Sequence, residues 1–197
     1  MAKLLFQGHG TYKIKTMDGT MIYVDPFIES NYEEPADIIL ITHEHPDHNK
    51  IDLITQKENC RIIRSKDLNV NGNYLTTTVG KIEIEAVEAY NKNHKKEECV
   101  GYILRVDNKV IYCSGDTSTT EDMKNKLPKY NIDYALLPTD GIYNMDAIEA
   151  AQCAETINTK HAIPIHMQPY KKFSKEVAEN FKCSNKLIVE PDRWIEL

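Results

Sequence analysis

The chain lacks a C-x-x-C pair, lacks any uncharged stretch long enough to cross a bilayer, and carries no excess of positive charge. Each shortage removes a class of function. The five cysteines, Cys60, Cys99, Cys113, Cys153 and Cys183, are odd in number and widely spaced. They suit neither a disulfide framework nor a zinc ribbon, and read as reduced thiols of a cytosolic protein. The amino-terminal MAKLLFQGHG offers only Leu4, Leu5 and Phe6 as an apolar run, far short of a signal-peptide core. With no spanning segment either, the expected compartment is the cytoplasm and no membrane partner is expected. A net charge of -6 disfavours a surface built to neutralise many phosphates. A small molecule is therefore the expected partner and nucleic acid an unexpected one, while self-association is left open.

What is present fits one closed core. The 197 residues, 41% hydrophobic and 27% charged, read as a single domain over residues 1–197, with no linker, repeat or low-complexity segment. The first half alternates strand-like runs with turns: KLLFQ, TYKIK, the Asp18-Gly19 hairpin dipeptide, MIYVDP, and then the nearly all-apolar ADIILITH, which suits a strand covered on both faces. NKIDLITQ predicts a short helix. YLTTTV, KIEIEAV, VGYILRV and KVIYCSGD resume the strand pattern, with a turn at Asp107-Asn108. The last third interleaves strands YALLP and HAIPIH with helices over MDAIEAAQCAETIN and SKEVAENFK. Asp146 is the expected N-cap of the longer helix and Glu149 the returning member of a capping box. The pattern is α/β, with helices outside sheets.

The turn after ADIILI carries the chemistry. THEHPDH, Thr42 to His48, holds three of the seven histidines of the chain within six residues. A solvated loop rich in histidine is the plainer alternative, but three imidazoles and two carboxylates held together need partners. On an extended segment His43 and His45 point the same way, and Pro46 re-aims Asp47 and His48. One turn thus supplies two half-sites, His43 and His45 for one ion, Asp47 and His48 for a second. Imidazole with carboxylate suits zinc, manganese or iron better than calcium or magnesium.

Further ligands must come from elsewhere. In VIYCSGDTS a strand ends in a Ser-Gly kink presenting Asp116, whose two oxygens can bridge two cations, although the same tripeptide also reads as an ordinary turn. HAIPIHM ends a strand at His166 and begins it at His161, so direction favours His166 as a ligand. His94, in the polar loop YNKNHKKEE, reads alone as solvent-exposed; a three-imidazole shell makes it the remaining candidate for the first ion. Glu44, at an x position, reads as a spacer.

These stretches, T-H-x-H-x-D-H after a hydrophobic strand, a later His, a strand ending G-D-T and a late P-I-H, resemble the metallo-β-lactamase superfamily across most of the chain. GHG, VDPF, GYILRVDNKVIYCSGDT, ALLPTDG and IPIHM are similar to its small hydrolase branch typified by ascorbate-6-phosphate lactonase. The resemblance implies an αββα sandwich with a dinuclear site at the sheet edge. It implies His43, His45 and His94 on the first ion, Asp47, His48 and His166 on the second, Asp116 as the bridge, and Asp25 of VDPF behind the ligands. Asp25 capping a turn before Pro26 is the alternative. Asp140, where related chains often carry a small residue, is expected at the pocket rim binding substrate, or else capping a turn with Gly141. His9 is expected to bind substrate or donate a proton, or to be a turn histidine without function. Tyr143 is placed near the same rim.

The implied cofactors are two divalent ions, zinc foremost, with manganese or iron as alternatives. Two such ions about 3.5 to 4 Å apart bring a shared water's pKa towards about 7. The expected activity is that of a metal-dependent hydrolase: a metal-bridged hydroxide cleaves an ester, lactone or phosphodiester bond of a small metabolite, with Asp47 as acid/base group. The alternatives are an iron-dependent oxidoreductase on the same scaffold and a phosphodiesterase acting on nucleic acid.

Overall fold

Alternation along the strands decides the layers. In Lys3–Gly8 (β1), Thr11–Lys15 (β2), Met21–Val24 (β3) and Ala36–Ile41 (β4), Leu4, Phe6, Tyr12, Ile14, Ile22, Val24, Ile38 and Leu40 all join one buried cluster. Successive side chains of a strand face opposite ways, so this set marks a single inner face. The computed structural model, which describes residues 1–197, adds Gln56–Arg64 (β5) at one edge of that sheet. A short helix, Ser65–Leu68 (α1), and a two-stranded ribbon, Asn69–Val70 (β6) with Asn73–Tyr74 (β7), lead to the second sheet.

The second sheet is built from Thr76–Val79 (β8), Ile82–Glu88 (β9), Val100–Val106 (β10) and Lys109–Cys113 (β11). Then come Glu121–Asn125 (α2), Tyr134–Pro138 (β12), Ala147–Thr156 (α3), His161–Ile165 (β13), Lys175–Asn180 (α4) and Trp194–Glu196 (β14). The sheet orders are β14-β1-β2-β3-β4-β5 and β13-β12-β11-β10-β9-β8. Ile84, Ala86, Tyr102, Leu104, Ile111, Cys113, Leu136 and Ile163 close the core against the first sheet.

The two outer faces are covered unequally. Met123 of α2 and Ala150 and Ala154 of α3 pack on Val87, Ile103, Tyr112, Ala135 and Leu137 of the second sheet. On the first sheet, Met21, Tyr23, Ile39 and Ile41 are covered by Tyr32, Ile51 and Ile54 from loops. Where NKIDLITQ predicts a helix, the chain makes one 3-10 turn, Ile51–Leu53. The sandwich is therefore α/β as expected, with a thin outer layer on one side. Asp146 caps α3 by accepting from Ile148 N and Glu149 N, but Glu149 does not complete the box. Its Oε1 instead accepts from Thr119 N and Thr119 Oγ1, at 2.9 and 2.8 Å. The five thiols are unpaired, and no helix is long and apolar enough to cross a membrane.

Strand direction builds the site. β1, β3 and β4 run one way in the first sheet, and β9, β11, β12 and β13 share one direction in the second. His9, Asp25 and His43 follow the ends of the first three; His94, Asp116, Asp140 and His166 follow the ends of the other four. Ligand-bearing residues of α/β folds gather at the carboxyl ends of strands. Gly115 joins the two sets, because at its φ of +63° an added Cβ would stand 2.8 Å from Thr42 Cβ.

Candidate metal centre

The left-handed region disfavours most side chains other than glycine, yet His9, Asp25 and His166 adopt it, at φ of 53°, 46° and 43°. All three sit directly after a strand, so the chain turns sharply and aims each side chain across the edge. Such backbone conformations persist only where surrounding contacts enforce them. For Asp25 the contacts are Thr42 N and Thr42 Oγ1, which donate to its two carboxylate oxygens at 2.8 and 2.7 Å. His48 Nδ1 donates to the same carboxylate at 3.0 Å. Asp25 thus stands behind His48, with both oxygens engaged.

The same arrangement recurs at other imidazoles. Thr42 Oγ1, having given its proton to Asp25, is an acceptor for His43 Nδ1 at 3.0 Å. Asn91 Oδ1 accepts from His94 Nδ1 at 3.0 Å and from the backbone N of Asn93 and His94. Asp140 Oδ2 lies 2.8 Å from His166 Nδ1. A neutral imidazole has one proton; committed on the outer nitrogen, it leaves a lone pair on Nε2. The buried Nε2 atoms of His43, His48 and His166 have no hydrogen-bond partner.

The Nε2 atoms of His48, His94 and His166 converge on Asp116. Its Oδ1 is 3.4 Å from His48 Nε2, and its Oδ2 is 3.3 Å from His94 Nε2 and 3.4 Å from His166 Nε2. Ligand atoms of His43, His45 and His94 fall within 4.8 Å of one another, as do those of His9, Asp47, His48 and His166. Two neighbouring groups of donors with a carboxylate between them, their imidazole protons held on the far side, fit divalent cations. This is how metal-binding histidines are oriented from behind.

The protein's own charges report the same crowding. Burial lowers His48, but Asp116 and Asp25 outweigh it and raise the pKa to about 9. Burial likewise lowers His166, but Asp116 and Asp140 outweigh it and raise the pKa. Asp116 is held well below the usual carboxylate range by His166 and His48 in spite of its burial. At His43 burial dominates and the pKa falls well below its ordinary value. Asp47 is held low by its bond to His9 and the charge of His48, against burial.

The structure brings His43, His45, Asp47, His48, His94, Asp116 and His166 to one edge, with Asp25 behind them. Two expectations change. Of the two roles expected for Asp140, the turn cap is the one seen: its Oδ1 accepts from the backbone N of Ile142, Tyr143 and Asn144, and its buried side chain also lies against His166 rather than at the rim. His9 does not face substrate either, since its side chain is buried and its Nε2 lies 3.2 Å from Asp47 Oδ2. His161 starts β13 on the surface, stacked 4.9 Å from Tyr134. Glu44 is more than a spacer: it pairs with Arg64 Nη1 at 2.7 Å and so ties the ligand turn to β5.

Sequence reasoning missed Thr42, Asn91, Asn93 and Tyr170. Thr42 lay inside the quoted motif, and Asn91, two residues before Asn93, has the spacing of an Asx turn. Tyr170 had no signal. Beside Tyr143 and Asn93 it borders a cleft of about 270 Å³ that reaches His45, Asp47, Asp116 and His166.

A sequence profile described as Beta-lactamase superfamily domain matches residues 3–166. A UPF0173 metal-dependent hydrolase of Pyrococcus furiosus is 30% identical, with 100% of each chain covered. The crystal structure of a protein described as a metal-dependent hydrolase, from Parabacteroides distasonis, superposes with a TM-score of 0.77 at 34% identity. It covers 96% of this chain and 93% of that one. Igni18, a metallo hydrolase of Ignicoccus hospitalis, shares the fold at a TM-score of 0.75 and 22% identity, over 98% of this chain and 97% of its own. With strand-end histidines and carboxylates gathered at one sheet edge, this chain belongs to the UPF0173 family of metal-dependent hydrolases in the β-lactamase superfamily.

Proposed function

We propose that the chain holds two divalent cations at this edge and hydrolyses an ester, lactone or phosphodiester bond of a small molecule. The observation that carries the reading is the set of buried Nε2 atoms of His43, His48 and His166 that have no hydrogen-bond partner, beside the buried carboxylate of Asp116. His43, His45 and His94 would hold one ion, Asp47, His48 and His166 the other, and Asp116 both. Imidazole with carboxylate is a donor set suited to zinc, and it accommodates manganese or iron. Bound there, such a pair supplies a hydroxide nucleophile at neutral pH and polarises the oxygen of the scissile bond.

The chain's own groups supply orientation. Asp47 borders the cleft and is held ionised by His9 and His48, so it accepts a hydrogen bond from the attacking water and aligns it. Asp25, Thr42, Asn91 and Asp140 fix the imidazoles, so no reorganisation is needed as charge develops. Tyr143 and Tyr170 wall the cleft, whose 270 Å³ suits a small metabolite. A neighbouring depression beyond His45 and His94 carries Lys66 and Lys95 but also Glu97 and Glu98, and thus selects for no single sign of charge.

The test is reconstitution with zinc, manganese or anaerobic iron, followed by a screen against lactones, phosphodiesters and thioesters. Two ions per chain and ion-dependent turnover of one class are expected, with His48→Ala losing an ion and nearly all turnover. Oxygen consumption by the iron form without hydrolysis would replace this reading with the oxidoreductase, and cleavage confined to oligonucleotides would replace the small-molecule substrate.

A further inference from the structure

His9 lies among the ligand groups yet is built differently from the other buried imidazoles. His43, His48 and His94 each hydrogen-bond an oxygen through Nδ1, His166 sets its Nδ1 2.8 Å from the Asp140 carboxylate as an ion-pair contact outside hydrogen-bond alignment, and all four turn Nε2 inward. In His9 the roles reverse: Nε2 is 3.2 Å from Asp47 Oδ2, and the buried Nδ1 has no partner. A neutral ring has one proton, and only Nε2 has an acceptor to receive it. His9 is 0% exposed and its ring lies 3.7 Å from that of His166, behind the cleft rather than on its wall.

The backbone around it is fitted to that position. His9 N donates to Lys172 O at 2.8 Å, and His9 O accepts from His166 N at 2.7 Å. Gly8 has φ of +124°, and a Cβ there would stand 2.7 Å from Lys172 O. At Gly10 a Cβ would stand 2.9 Å from His48 Cε1. The G-H-G stretch therefore needs both glycines, one for conformation and close approach to Lys172, the other for approach to a ligand ring.

We propose that His9 is a positioning residue: it donates Nε2–H to Asp47 Oδ2, so that the carboxylate has Oδ1 alone to offer the second ion. A ligand held to one oxygen leaves a coordination position free, as catalytic sites require. His9 then touches neither substrate nor ion. This inference rests on the reading of Asp47 as a ligand.

The experiment is calorimetric titration of zinc into ion-free wild type, His9→Asn and His9→Gln. Asn tolerates the left-handed backbone but is too short to reach Asp47, whereas the Gln amide has the reach. His9→Asn is expected to weaken the second ion by about 10- to 100-fold, the loss typical of groups that support a ligand. The first ion should be unaffected, and His9→Gln should recover part of the loss. On a substrate found by the screen, kcat should fall and KM hold.

Unchanged ion affinities with a raised KM would overturn the proposal in favour of substrate binding. Loss of the second ion from both variants alike would overturn it in favour of direct ligation. Should neither variant fold, nitrogen NMR of the wild-type imidazoles decides, since a His9 ring without a proton on Nε2 is incompatible with the proposed bond. If wild type itself takes up fewer than two ions, the dinuclear reading fails; if it takes two and His9→Asn does the same with equal affinity, only the role of His9 fails.

Discussion

At His48 two carboxylates surround one buried ring, and this raises its pKa from 6.5 to about 9. In the ion-free protein the ring is therefore charged at pH 7, its proton occupying the place assigned to a cation. The sign follows: this proton stabilises the fold fully below pH 6.5 and ceases to do so as pH rises through about 9. Ion uptake at pH 7 must expel it, so proton release should accompany binding and apparent affinity should tighten as pH rises. Calorimetry in buffers of different ionisation enthalpy measures the release; no dependence on buffer would show that His48 binds no proton to displace. Most ligands were legible in the sequence because Pro46 and the spacing of THEHPDH constrain them within one turn. The contact of Asp140 with His166 was not legible, because a carboxylate capping a turn next to Gly141 looks the same whether it faces solvent or a histidine 26 positions later.

Among the elements, most strands of the two large sheets could be read from their alternation, but the three-residue β14 and the longer β5 could not. Its residues from Gln56 to Asn59 are exposed, so an apolar period never develops there. Charged residues on an edge strand discourage pairing with another chain, and they also hide it from a pattern search. Likewise Glu149 met the spacing of a capping box and was drawn instead to Thr119, a tertiary contact that no local rule contains. Gly115 is the element-scale test, because it lets the end of β11 close on Thr42. In Gly115→Ala the left-handed φ and the 2.8 Å approach to Thr42 Cβ act together. A cost of about 2 to 4 kcal/mol is expected, which lowers Tm by roughly 5 to 15 °C in a chain of this size. Gly72→Ala, at φ of +80° with nothing within 4 Å, controls for backbone strain alone and should lose about 1 kcal/mol. Equal melting temperatures for the two variants would remove the close approach as a cause.

On the scale of the molecule, the seven proposed ligands are divided between the sheets: His43, His45, Asp47 and His48 extend from β4, while His94, Asp116 and His166 extend from β9, β11 and β13. The thin covering of the first sheet was not legible, because IDLI satisfies a short helix as well as a single turn. The division of ligands has a kinetic consequence. A cation at this edge gains its full set of ligands only after the core has brought both sheets together, so it acts as a clasp rather than a nucleus. Saturating zinc should slow unfolding and leave the refolding rate nearly unchanged, since stabilisation formed after the transition state appears in the unfolding rate. Stopped-flow refolding with and without zinc tests this, and faster refolding with zinc would place the clasp earlier. For a cell, the apoprotein would then mature in two separable stages, a chain that folds unaided and a centre that is loaded afterwards.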